Sequence, residues 1–240
     1  MSRQPPRVAP LDPPGAAFVF ISVVVRRVLP LFGTRRYLDS HHLPKRGPAI
    51  VACNHISLLD PLALGAAMFD NGRVPRFLGK ASLFKIPIMG AILRSGGQIP
   101  VERRSTNASA ALVPAGRVLD EGGCVALFPE GTLTHDEHHW PMRGKTGAVR
   151  LALLSGAPLI PAAVWGTEDA YPPKSRFPRF SRRREISAIF GAPVDLSDLA
   201  GRAEDADALR AGTARLMVAI TDLVAHLRKE PPPSSAEMST

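Results

Sequence analysis

The chain has 240 residues, enough for one large domain or two small ones, and 45% hydrophobic residues are enough for a real core. Lys and Arg number 30 against 21 Asp and Glu, a formal charge of +9, which points to an anionic partner: nucleic acid, a membrane surface or a phosphorylated ligand. Cys53 and Cys124 lie in apolar, strand-like runs; they argue against a disulfide framework and read as buried thiols of an intracellular protein.

Residues 1–15, rich in Pro and Arg, are expected to be mobile. Ala16 to Phe32 is the most apolar long stretch. As a helix, its 17 residues span about 25 Å, short of the ~30 Å hydrocarbon core, and Arg26, Arg27 and Pro30 interrupt it. Arg3 and Arg7 precede it as in a signal peptide, but no small-residue cleavage site follows. Its apolar residues run all round rather than along one stripe. That favours a helix lying in one leaflet, with Arg26, Arg27, Arg35 and Arg36 near lipid phosphates, over a helix packed on the protein's own core.

His41 to Pro48 is turn-rich, and Ala49 to Cys53 reads as a buried strand. Leu62 to Phe69 reads as a helix and Asp70-Asn71-Gly72 as a turn. Phe77 to Lys80 is a short strand, Ile86 to Leu93 a short helix, and Ile99 to Val101 a strand. Thr106 to Glu121 reads as a helix with a kink or break at Pro114. Cys124 to Phe128 is a buried strand, Gly144 to Ser155 a helix that Gly156 can end, and Leu159 to Val164 a strand. Glu185 to Phe190 alternates like a sheet edge. Leu216, Ile220, Leu223 and Leu227 mark a final helix, and residues 231–240 read as a disordered tail.

This alternation predicts an α/β fold, a largely parallel central sheet flanked by helices, with an N-terminal membrane-associated helical segment. The division expected is residues 1–36 mobile and membrane-associated, 37–230 one domain, and 231–240 tail. Ligands gather at the carboxyl ends of parallel strands. His55, Lys80, Arg103 and Glu130 all fall just past predicted strand ends.

His55 and Asp60 carry the chemistry in this reading. A histidine at a strand end can accept a proton from a hydroxyl while a carboxylate holds its other ring nitrogen and favours the imidazolium as it forms. The plainer reading makes Asp60 a helix N-cap, Pro61 the first helical residue and His55 surface polarity.

Three further blocks favour catalysis. Asn54-His-Ile-Ser-Leu-Leu-Asp60 resembles the H-x4-D motif of the glycerolipid acyltransferases, the lysophosphatidate acyltransferase family. Gly97-Gln-Ile-Pro-Val-Glu-Arg103, Phe128-Pro-Glu-Gly-Thr132 and Leu159-Ile-Pro-Ala-Ala163 resemble its second, third and fourth blocks, in order. The resemblance implies acyl transfer from acyl-CoA or acyl carrier protein to a glycerol-phosphate hydroxyl, with no covalent acyl-enzyme, no metal and no cofactor. It places Glu130, Gly131 and Thr132 at the acceptor site, where Glu130 would fix a hydroxyl or a nearby arginine. The family commonly has an arginine directly after this block; here Leu133 stands there. Lys80, Arg103, Arg143 and Lys145 are therefore the candidate cations for the phosphate.

Three other clusters are weighed and set aside. His135, Asp136, Glu137, His138 and His139 suit a polar surface loop better than a metal site. Cys53 suits a buried strand better than a nucleophile. Lys174 to Arg184, six Lys and Arg with Phe177 and Phe180, resembles a nucleic-acid patch but with these motifs fits lipid or CoA phosphates.

The expectation is an acyltransferase on the cytoplasmic face of the cell membrane, peripheral or monotopic, with a lipid surface, an acyl thioester and a lysophospholipid or glycerol-phosphate as partners, and no nucleic acid. Lysophosphatidate is the expected acceptor. Glycerol 3-phosphate or another lysophospholipid is the first alternative, and a non-enzymatic basic protein binding membrane or nucleic acid the second.

Overall fold

A computed structural model describes residue 23 and residues 25–102, 112–172, 175 and 177–233. Seven strands form one sheet: β1 (Thr34–Leu38), β2 (Ala49–Cys53), β3 (Pro75–Lys80), β4 (Ile99–Val101), β5 (Cys124–Leu127), β6 (Leu159–Trp165) and β7 (Glu185–Phe190), in the order β1-β7-β6-β2-β5-β3-β4. From β6 to β4 every pairing is parallel. β7 runs antiparallel to β6, and β1 runs parallel to β7, so the last two strands are reversed.

β2 and β5 are buried along their whole length, which is why they read as unbroken apolar runs. Alternate side chains feed opposite cores. Val51 and Cys53 pack with Ala63, Leu64, Ala67 and Met68 of helix α1 (Asp60–Asp70). Ile50 and Ala52 share the other core with Leu119 of α3 (Val113–Asp120), Val149 of α4 (Gly147–Ser155), and Leu216 and Ile220 of α6 (Ala206–Arg228). Helix α2 (Pro87–Ser95) buries only Gly90. A single turn, α5 (Thr167–Ala170), follows β6.

Four expectations change. Glu185–Phe190 is no sheet edge: β1 lies outside it, and all but Glu185 are buried. The helix expected from Thr106 to Glu121 runs over Val113–Asp120 among the described residues, with Pro114 in its first turn, where its missing N–H is not needed; residues 106–111 lie outside the described residues. The division after residue 36 cuts β1, and Leu29 and Phe32 are already buried in the core, so the fold begins before residue 29. Two arginines assigned to lipid phosphate are committed elsewhere: Arg26 and Arg35 pair with Asp70 at 2.5 and 3.1 Å. Gly156 does end α4, at a φ of 68°.

Candidate active site

β2 stops at Cys53 because Asn54 turns its side chain across to β6. Asn54 Nδ2 donates to the Val164 carbonyl at 3.0 Å, and Val164 N–H donates to Asn54 Oδ1 at 2.8 Å. This buried amide continues the β2–β6 ladder while freeing the main chain to turn into the loop that carries His55.

Asp60 is fully buried at the first position of α1, with Leu59 rather than Asp60 at the cap. Its carboxylate is therefore free to point back into the loop. Oδ2 accepts the backbone N–H of Ile56 at 2.6 Å and of Ser57 at 2.8 Å, and lies 2.9 Å from His55 Nδ1. Oδ1 accepts the hydroxyl of Thr167 at 2.5 Å. With Nδ1–H directed at Asp60, the neutral imidazole keeps its lone pair on Nε2. Nε2 has no hydrogen-bond partner among the described residues, and the His55 side chain retains 13% exposure. A ring so held can take a proton from an incoming hydroxyl.

The ring plane is set by stacking. Phe128 lies 4.2 Å from the imidazole, centroid to centroid, and Phe77 lies 6.0 Å beyond Phe128. The His55 main chain is held on both sides: its N–H donates to Glu130 Oε1 at 2.9 Å, and its carbonyl accepts from Thr134 N at 2.7 Å. Glu130 Oε2 accepts Met142 N–H at 3.0 Å. Each Glu130 oxygen thus serves a backbone donor.

Gly131 adopts a φ of 74°, and a Cβ there would lie 2.8 Å from Lys145 Nζ, so the lysine passes over a turn that only glycine fits. Lys145 N–H also donates to the Pro129 carbonyl at 2.8 Å. Thr132, Lys80 and Arg143 are exposed, and Arg103 lies outside the described residues. A cavity of about 250 Å³ opens beside Lys145, lined by Leu78, Val101, Leu127 and Phe128 among others. Phe128 separates it from the His55 ring.

Both thiols are buried. Burial pushes the Cys53 thiol well up, with Asp60 and Glu130 adding to it, and burial pushes Cys124 up to about 11. Neither supplies thiolate near neutral pH. In the polar loop, Asp136 Oδ1 accepts the N–H groups of His138 and Trp140, so this carboxylate closes a turn.

Sequence reasoning missed Thr167, Phe128 as a ring support, and Asn54 as a brace. Thr167 follows a strand end, as His55 and Glu130 do, and that position was its one available signal. Arg73 was missed too. It is buried and donates to the carbonyls of Pro44 and Gly47 at 3.0 and 2.7 Å, holding the turn that leads into β2.

A carboxylate-backed imidazole at the carboxyl edge of a mostly parallel α/β sheet is an arrangement able to draw a proton from a hydroxyl. Residues 35–165 match the family described as Acyltransferase, and the chain belongs to that family. It is an acyltransferase enzyme. Over 183 residues it is 29% identical to the 1-acyl-sn-glycerol-3-phosphate acyltransferase of Bacillus subtilis, covering 76% of this chain and 85% of that one. It is 30% identical over 157 residues to a protein of the same name from Borreliella burgdorferi, covering 65% of this chain and 61% of that one. The crystal structure of the 1-acyl-sn-glycerophosphate (LPA) acyltransferase PlsC from Thermotoga maritima has the same fold, with a TM-score of 0.65 at 23% identity over 90% of this chain and 81% of that one.

Proposed function

We propose that this enzyme moves a fatty acyl group from an acyl thioester, acyl-CoA or acyl carrier protein, to the free hydroxyl of 1-acylglycerol 3-phosphate, giving phosphatidate. The observation that carries the mechanism is the 2.9 Å contact between His55 Nδ1 and a buried Asp60. The acceptor follows the names of the similar proteins.

In this mechanism the acceptor O–H gives its proton to His55 Nε2 as its oxygen attacks the thioester carbonyl. Asp60, fixed by backbone donors, favours the imidazolium that forms. The tetrahedral oxyanion then collapses, the C–S bond breaks, and the thiolate leaves with the proton from Nε2. No acyl group rests on the protein and no metal or cofactor takes part. Lys145, assisted by the exposed Lys80 and Arg143, would face the acceptor phosphate in place of an arginine at position 133. The apolar cavity across Phe128 suits part of an acyl chain.

A lipid surface is part of the proposal. The segments leaving the carboxyl ends of β2, β3 and β6 expose Leu58, Ile86, Ile88, Met89, Phe177 and Phe180. Lys80, Lys85 and Arg94 stand among the middle group, and Arg179, Arg182 and Arg183 beside the last. An apolar rim edged by cations, on the edge that holds His55, suits an anionic membrane at the cytoplasmic face. Among the described residues no helix is long and apolar enough to cross a membrane.

The test is acceptor-dependent thiol release from labelled acyl-CoA and acyl carrier protein, with lysophosphatidate, glycerol 3-phosphate and other lysophospholipids compared. Release and labelled phosphatidate with lysophosphatidate alone support the reading. Preference for glycerol 3-phosphate moves the acceptor, and no release with any acceptor overturns the activity.

A further inference from the structure

We infer that Thr167 is a positioning residue for the His55–Asp60 pair, acting on Asp60 from the turn that follows β6. The inference rests on the acyl-transfer reading above. Asp60 Oδ2 is shared by the ring of His55 and the N–H groups of Ile56 and Ser57. All three donors come from one short loop, and they hold only one oxygen. The second oxygen, Oδ1, is held by the Thr167 hydroxyl at 2.5 Å. With both oxygens pinned from opposite sides, the carboxylate cannot rotate about its Cβ–Cγ bond, and Oδ2 keeps its lone pair on Nδ1–H.

The segment carrying Thr167 is built to hold it there. Gly166 takes a φ of 88°, and a Cβ at that position would lie 2.0 Å from the Glu185 carbonyl oxygen. The sharp turn out of β6 therefore needs glycine. It is closed by Glu168, whose Oε2 accepts Gly166 N–H at 2.9 Å. At its other end, the Tyr171 carbonyl accepts the hydroxyl of Ser57 at 2.8 Å. Together with the Asn54–Val164 brace, the stretch from Val164 to Tyr171 grips the His55 loop at three points. Thr167 is fully buried and meets no substrate, so its contribution to turnover passes through Asp60.

The experiment is steady-state kinetics with acyl-CoA and lysophosphatidate on Thr167→Val, Thr167→Ser, Asp60→Asn and the double variant Thr167→Val/Asp60→Asn, with melting temperatures for each. Valine keeps the shape and loses the hydroxyl. It is expected to lower kcat about 10-fold with both KM values within about two-fold of wild type. Serine keeps the hydroxyl and should stay within about three-fold of wild type. In the Asp60→Asn background the valine should cost nothing further, because the carboxylate it served is gone.

Wild-type kcat in Thr167→Val overturns the inference, as does a loss carried by KM, or the same loss repeated in the Asp60→Asn background. If the valine variant does not fold, Thr167→Ala compared with Thr167→Ser gives the same decision. The underlying reading fails separately: an active His55→Ala would overturn the mechanism whatever Thr167 does.

Discussion

Glu130 Oε1 accepts the main-chain N–H of His55 at 2.9 Å, tying the backbone of the base to the turn after β5. Burial pushes this carboxyl from its ordinary 4.5 up to about 7, against the backbone donors of Met142 and His55. The folded protein therefore keeps a proton that the unfolded chain loses between about 4.5 and 7. Stability from this group is highest below that window, falls as pH rises through it, and levels off above 7. Glu168, also pushed up to about 7 mainly by burial, acts in the same direction. Glu130→Gln turns an amide N–H₂ toward a backbone donor and should cost about 1–3 kcal/mol. It also removes one titration, so its deficit should shrink from pH 5 to pH 8. Thermal unfolding across that range checks this; a constant deficit would sink the account.

His55→Ala should abolish acyl transfer, and Asp60→Asn should lower kcat by ~10²-fold or more. Asp60→Asn also faces the N–H groups of Ile56 and Ser57, which need an acceptor, so circular dichroism must show both variants folded. Wild-type-like turnover in His55→Ala would end the mechanism, and a stable acyl adduct on Cys53 would count against direct transfer.

Phe128→Leu keeps an apolar side chain beside the cavity but removes the face that stacks on His55. Ring pairs contribute ~0.5–1.5 kcal/mol beyond their area, so kcat should fall about 3- to 10-fold. Acyl-chain preference should change as well, because Phe128 lines the 250 Å³ cavity. Kinetics with acyl-CoA of several chain lengths reads both effects; an unchanged kcat would show that the stack is not needed to orient the ring.

Arg228, near the end of α6, lies 4.0 Å from the Trp140 ring centroid and 4.7 Å from that of Trp165, and donates to the His138 carbonyl at 2.5 Å. Arg228→Met should destabilise the protein by ~1–2 kcal/mol. Hydrogen exchange should quicken in residues 134–142 before it does in β2. Uniform protection across that loop in the variant would show that the clamp is idle.

The lipid reading predicts that Ile88→Asp with Met89→Asp weakens flotation on anionic vesicles while leaving the melting temperature unchanged, since both side chains are exposed. Deleting residues 1–22 should weaken flotation further, without cutting β1 or the buried Leu29 and Phe32. Added salt should remove part of the binding, about 1 kcal/mol for each cation near the surface. If flotation is the same in all variants and at all salt concentrations, the membrane contact lies elsewhere.

The central strands were legible because both of their faces are buried, which writes an unbroken apolar run into Ala49–Cys53 and Cys124–Leu127. The H-x4-D spacing was legible because His55 and Asp60 share one loop. β1 was not: Thr34-Arg-Arg-Tyr-Leu38 reads as polar, and it is a strand only because β7 offers a partner. Thr167 and Phe128 were opaque for a related reason. Their roles exist only across the sheet, 107 residues from Asp60 for the threonine and in a ring stack for the phenylalanine. Glu130 was found by position, but its bonding was not, because backbone donors leave no mark in the sequence.

The grip that β6 and its following turn exert on the His55 loop also closes late in synthesis. The loop is made early, yet Val164, Thr167 and Tyr171, which hold it, emerge more than 100 residues later. β2 has no sheet neighbour until β5 has been made, and gains its second only with β6. A nascent chain that has exposed only its first half therefore carries His55 and Asp60 without the geometry that makes them a base. The geometry proposed for the pair is complete only once Tyr171 has been made, and such distant closures are the slow part of folding a sheet of this kind.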